Sequence, residues 1–227
     1  MYTAPVFRVT LFLFWLSSTL TGEALAQSPE TVTLPEPAYA GEQSVERLLR
    51  QRRSVRDYRD ATLPLSDISQ LLWAAQGITH AAGLRTAPSA GALYPLELYL
   101  VAGNVSNLAA GVYHYQADGH RLERMHRGDQ RKPLARAALA QNWVGDAAAV
   151  VVFAAVYERT TRKYGKRGVR YVHMEVGHAA QNLFLQAEAL GLATVVVGAF
   201  RDDEVAGVLQ LPDEVHPLVL MPVGRGP

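Results

Sequence analysis

The 227-residue sequence is 49% hydrophobic and 19% charged, with a formal net charge of +1. That apolar content supports a buried core in one domain, while the balanced charge offers no basic stripe for nucleic acid. The absence of cysteine excludes disulfides, thiolate metal sites, cysteine nucleophiles and a lipoprotein anchor.

Residues 1–26 have the anatomy of a secretory signal. Arg8 precedes an apolar run from Val9 to Leu16, and Ala24-Leu25-Ala26 places small residues at the positions a signal peptidase inspects. The run falls short of the roughly 20 apolar residues a bilayer span requires. No twin-arginine pair precedes it, which favours a general secretory route. The expected location is therefore periplasmic or secreted, with no stable membrane span once the signal is removed. Residues 27–42, rich in Pro, Thr, Glu and Ser, read as a flexible, extended lead-in. The remainder, 43–227, reads as one domain.

Within it, Ser44 can cap a helix through Arg50, with Val45, Leu48 and Leu49 on one face. A second helix is expected from Ser66 to Gln76, burying Leu65, Ile68, Leu71, Leu72 and Ala75. Leu96 to Val101 reads as a strand. Gly111–Gln116 and His120–Arg124 flank Asp118-Gly119, a pair that tolerates the positive φ of a hairpin turn. A helix follows around Leu134 to Gln141. Ala147 to Val156 is nearly continuous in apolar and β-branched residues, as in a strand covered on both faces. A long helix from about Val169 to Leu190 stops at Gly191. The strand Ala193–Val197, a helix around Asp202–Leu209 and a last strand Leu218–Val223 complete the chain. Helices and strands mix without strict alternation, which gives an α+β class with helices over a central mixed sheet.

Three segments carry candidate chemistry. Arg52-Arg53-Ser54-Val55-Arg56 places three guanidiniums and a hydroxyl together, and the planar donor fork of Arg matches phosphate. A solvated charged turn would have the same composition. Ala87 to Pro95 (APSAGALYP) brackets small residues with prolines, so its backbone can lie close to a flat ring. The third, Lys163-Tyr164-Gly165-Lys166-Arg167, leads into the long helix with Glu175 and His178 at i and i+3. That spacing occurs on di-metal helices, but the sequence has no second Glu-x-x-His pair, so no metal site is expected. Neither a P-loop, a G-x-G-x-x-G fingerprint nor a G-x-S-x-G elbow is present.

Taken in order, RRSVRDY, APSAGALYP, KYGKRGVRYVHMEVGHAAQNLFLQAEALGLATVVVGAF and PVGRG resemble the nitroreductase superfamily, specifically its SagB/ThcOx-type dehydrogenase branch, over Ser44 to Arg225. The resemblance implies a nitroreductase-like fold and a homodimer packed through the long helix, with two FMN sites at the subunit interface. It assigns Arg52, Arg53, Ser54 and Arg56 to the flavin phosphate, ribityl chain and ring. Pro88, Ser89, Ala90, Gly91 and Leu93 would lie against the flavin from the other subunit. Val197, Gly198 and Ala199 would approach the reactive edge of the ring, and Arg225 would close on the phosphate. Lys163 and Tyr164 correspond to a catalytic Lys-Tyr pair that removes a substrate proton while hydride passes to flavin N5. The implied activity is FMN-dependent oxidoreduction on a small-molecule or peptide substrate. An NAD(P)H-dependent nitro or quinone reductase, and a non-catalytic flavin or small-ligand binder, are the alternatives.

Overall fold

The computed structural model describes residues 1–3 and 30–227, so the signal expected over 1–26 lies almost wholly outside the described residues. The described residues form a seven-stranded sheet with helices on both faces. In chain order the elements are β1 (Thr31–Thr33), α1 (Val45–Gln51), α2 (Leu65–Gln76), β2 (Leu96–Ala102), β3 (Gly111–Gln116), β4 (Arg121–Arg127), α3 (Arg131–Ala137), α4 (Asn142–Asp146), β5 (Ala149–Ala155), α5 (Glu158–Tyr164), α6 (Arg167–Ala189), β6 (Leu192–Thr194), α7 (Asp202–Leu209) and β7 (His216–Arg225). The sheet order is β1-β4-β3-β2-β5-β7-β6. Every pairing between these strands is antiparallel, where a mixed sheet was expected.

Strand alternation explains the layering. Leu96, Leu98, Leu100, Val151, Phe153, Met221 and Val223 point to one face, where α2 and α6 cover them. Tyr99, Val101, Val112, Val150, Val152 and Leu220 point to the other, beneath α3, α4 and α7. All seven residues of β5 are buried, as its unbroken apolar run foretold. Its neighbours β2 and β7 seal both edges.

Local chemistry sets the boundaries. The Ser44 hydroxyl accepts the Arg47 amide at 3.3 Å and starts α1. Pro64, at φ −61°, stands before α2 in the way proline favours at a helix entrance. The β3–β4 turn carries its positive φ values at Gly119 and His120, one residue later than the Asp-Gly pair suggested. Residues 30–34 of the lead-in are held against the sheet. There, β1 pairs with β4, the Arg124 amide donates to the Glu30 carbonyl, and Leu34 is buried in the main core.

Candidate functional site

The arginine segment leaves α1 and is fastened to the sheet. The Val55 amide donates to the Thr194 carbonyl at 3.0 Å, tying the segment to β6. The Tyr58 hydroxyl donates towards the carbonyls of Val55 and Pro222 at 3.2 and 3.3 Å, tying it to β7. Gly224 permits this, because a Cβ there would stand 2.8 Å from the Tyr58 ring. So anchored, the segment has its arginines in three different situations. Arg53 Nη1 donates to the carbonyls of Arg50, Gln51 and Arg52, closing the C-terminus of α1 where a cation is favoured. The Arg52 guanidinium lies 4.6 Å above the Phe184 ring, and that of Arg56 lies 5.8 Å from the Trp143 ring. Among the described residues neither Arg52 nor Arg56 forms an ion pair. Two guanidiniums held on aromatic faces with their donor edges uncompensated suit an incoming anion. Ser54 is exposed beside them.

Arg225 is engaged elsewhere. It pairs with Asp67 at 3.0 Å and donates to the Leu190 carbonyl at 3.1 Å, closing the end of α6. Val197 is buried and paired in both directions with Leu220. Gly198 and Ala199 are exposed, a Cβ on Gly198 would meet nothing, and the Ala199 carbonyl accepts from Gln141 at the start of α4. The arginine segment and Val197–Ala199 are thus fixed to a shared base of α4, β6 and β7.

The proline-serine loop forms a second group. Pro88 is exposed, Ser89, Ala90 and Leu93 are half-buried, and a single 3-10 turn spans Ala90–Ala92. Gly91 takes φ +65°, and a Cβ there would stand 2.8 Å from Tyr164 Oη and 3.0 Å from Lys163 Nζ. The structure therefore brings the Lys-Tyr pair against the loop. Lys163 Nζ lies 5.4 Å from the Tyr164 ring centre, and that ring meets Tyr171 edge-on. Lys163 itself is exposed, so this chain alone does not supply the burial that a lysine base needs.

The two groups belong to opposite ends of α6. The loop and the Lys-Tyr pair lie towards Tyr171, whereas Arg52 stacks on Phe184, about 20 Å further along the axis at 1.5 Å per residue. No hydrogen bond or ion pair joins the groups among the described residues. Glu175 and His178 do not converge either, since the first is buried and the second exposed.

One residue with a part in this region was read from the sequence only as a metal candidate. Glu175 is 2% exposed, and burial pushes its carboxyl up to about 7 against the opposing pull of the Ser89 hydroxyl and Arg85. A signal for it existed. Val172, Val176, Ala179 and Leu183 mark the buried stripe of α6, and position 175 falls on it.

The geometry passes one test of fit for a flavin mononucleotide. It offers two guanidiniums outside any ion pair among the described residues for a phosphate. Comparison with known proteins identifies the family. A profile described as Nitroreductase family matches residues 49–225. The candidate nitroreductase MJ1384 of Methanocaldococcus jannaschii is 49% identical over 181 residues, covering 80% of this chain and 90% of that protein. The microcin B17-processing protein McbC of Escherichia coli is 33% identical over 143 residues, or 60% of this chain and 52% of its own length. A crystal structure of a candidate nitroreductase from Ralstonia eutropha superposes with a TM-score of 0.77 at 29% identity, over 90% of this chain and 93% of that one. Fold, motif order and sequence kinship lead to one assignment: the chain belongs to the nitroreductase family of flavoprotein oxidoreductases.

Proposed function

We propose that the protein is an exported FMN-dependent oxidoreductase whose site is completed by a second copy of the chain. The observation carrying this reading is that Arg52 and Arg56 form no ion pair among the described residues, while Arg52, on Phe184, lies far along α6 from the Gly91 loop. Two protomers packed antiparallel along α6 would bring the arginines of each beside the loop of the other. Apolar surface suited to such packing is available on α1, where Val45 and Leu49 are 59% and 55% exposed. Met174 on α6 adds a further 51%-exposed apolar side chain.

Bound FMN would supply hydride acceptance at N5 and onward passage of electrons. The chain's own residues divide the remaining work. Arg52 and Arg56 would hold the phosphate, with Ser54 adding a hydroxyl donor. Pro88 to Gly91 would present main chain to the ring, and Gly198 would leave room at its edge. Lys163 and Tyr164, already against Gly91, would stand where a substrate proton is removed or returned. Packing of the partner would give Lys163 the burial that this work requires. Arg53 stays on the α1 carbonyls, and Arg225 would have to leave Asp67 to reach a phosphate. A reading in which the chain works beside a partner protein is supported by one solved relative, the Escherichia coli microcin synthetase McbBCD complex with truncated pro-MccB17 bound.

Reduction of nitro or quinone compounds by NAD(P)H is the second reading, and the 49% identity with MJ1384 favours it. Oxidation of NADH or NADPH in the presence of a nitroaromatic supports that version; failure to oxidise either leaves a dehydrogenase using another electron partner. The shared flavin claim is tested by FMN titration. Wild type should take up FMN, and Arg52→Ala should weaken retention at least tenfold, since a charge-assisted hydrogen bond contributes about 1.5–3 kcal/mol. Unchanged retention in Arg52→Ala would remove the site assignment.

A further inference from the structure

Between the end of α2 and the β3–β4 turn lies a polar cavity of about 250 Å³. Gln76 from α2, Glu97 from β2, Asp118 from the turn and Arg159 from α5 line it, together with Arg85 on the approach to the proline-serine loop. It backs onto that loop, because the Arg85 amide donates to the Tyr94 hydroxyl at 3.3 Å. The residues proposed to hold the flavin are not among its lining.

Two of the lining groups are left incomplete. Gln76 is 1% exposed, and its Oε1 accepts from Arg85 Nη1 at 2.9 Å. That bond fixes which end of the amide carries the oxygen, so Nε2 is a donor. It is buried without an acceptor among the described residues. Arg85 is half-buried, with its guanidinium 4.7 Å from the Tyr94 ring centre. Among the described residues it forms no ion pair, and its one side-chain hydrogen bond is that to Gln76. Most of its donor fork is therefore unused.

The charged neighbours do not fill the gap. Glu97 is held by Arg159 and by His114 Nε2, the latter at 2.6 Å. Arg159 is engaged with Glu97 and with the Tyr94 carbonyl at 3.1 Å. Asp118 is exposed on the turn and forms no ion pair among the described residues. A water could accept from Gln76, but it would bring no countercharge to Arg85.

We propose that this cavity binds a small carboxylate, received by Gln76 Nε2 and the free edge of the Arg85 guanidinium. Two coplanar oxygens match the guanidinium fork, and one negative charge matches one unpaired cation. A phosphate dianion would set its second charge against Glu97 and Asp118 in the same cavity. At about 30 Å³ per water the space limits the ligand to a handful of heavy atoms. Acetate and glycine both meet that limit, and the glycine ammonium would find those two carboxylates. The inference stands without the flavin reading.

The test is ligand-observed NMR of acetate, glycine and inorganic phosphate with wild type, Arg85→Met and Gln76→Glu. Arg85→Met removes the charge and keeps an unbranched apolar side chain. Gln76→Glu gives Arg85 a carboxylate from within the chain and should close the site to any other. Wild type should bind acetate or glycine with a Kd on the order of 1 mM, a strength open to ligands of a few atoms. Both variants should bind about tenfold more weakly or worse, as loss of a charge-assisted hydrogen bond entails. Tighter binding of glycine identifies an amino acid as the source of the carboxylate, and tighter binding of acetate a simple carboxylic acid. If one variant fails to fold, the other carries the same expectation. Carboxylate binding that is unchanged in a folded variant, or absent from wild type at about 10 mM, overturns the inference. So does phosphate binding that exceeds both carboxylates and is lost in Arg85→Met.

Discussion

At Gly91 the absence of a side chain has a definite reason. Its φ of +65° disfavours a Cβ, and the space beside it holds Tyr164 Oη and Lys163 Nζ. Gly91→Ala should cost about 1–2 kcal/mol of stability, from the left-handed backbone alone. It should also displace the Lys-Tyr pair, lowering turnover more than the stability loss explains. Chemical denaturation and steady-state kinetics check the two effects separately; unchanged turnover in a folded variant would detach the pair from the chemistry. Glu175 gives a second residue-scale prediction. Its folded-state value of about 7 lies above its ordinary 4.5, so its stabilising contribution is complete below about 4.5 and is lost as pH rises through 7. Over that range wild type without cofactor should lose on the order of 3 kcal/mol relative to Glu175→Gln, because each tenfold change in proton affinity is worth about 1.4 kcal/mol. Urea unfolding at pH 5 and pH 8 measures this, and parallel behaviour of the two proteins would contradict it.

At the scale of elements, the clearest departure from sequence expectation is β1. Thr31–Thr33 sits in a Pro-, Glu- and Ser-rich segment with no room for an alternating pattern, yet it pairs with β4 and delivers Leu34 to the core. Leu34→Ala should destabilise the protein by about 2–5 kcal/mol, the usual range for a buried leucine. A loss of stability below about 0.5 kcal/mol, the level of an ordinary surface substitution, would show that β1 is dispensable. The long, strongly patterned elements were legible. α6 announced itself by its apolar stripe and terminal glycine, and β5 by its unbroken hydrophobic run. The short α4 and α5 were not, because five and seven residues cannot establish a 3.6-residue period. The uniformly antiparallel pairing was hidden for another reason: strand neighbours are chosen by tertiary packing, not by any one strand's composition. Within the site, motif strings located the arginine segment, the loop and the Lys-Tyr pair. They could not reveal that Arg53 closes α1 or that Arg225 pairs with Asp67, since each depends on how the chain is folded back on itself.

At the scale of the whole molecule, the candidate site residues fall into two separate groups within one chain. Arg52 and Arg56 have no carboxylate partner among the described residues, and the Gly91 loop with Lys163 and Tyr164 stands apart from them. Part of α6, from Tyr171 to Phe184, separates Arg52 from that loop, and apolar side chains of α1 lie exposed beside the helix. A two-fold pairing resolves all three features together. The most direct measurement is FMN content after mixing two defective proteins, an Arg52→Ala/Arg56→Ala variant and a Gly91→Ala/Ser89→Ala variant, unfolded and refolded together. Each variant alone should retain little FMN. In the mixture, random pairing should restore about one quarter of the wild-type sites, because half of the dimers are mixed and each of those contains one intact site. Mixed protein that holds no more FMN than the separate variants would contradict a site shared between two subunits.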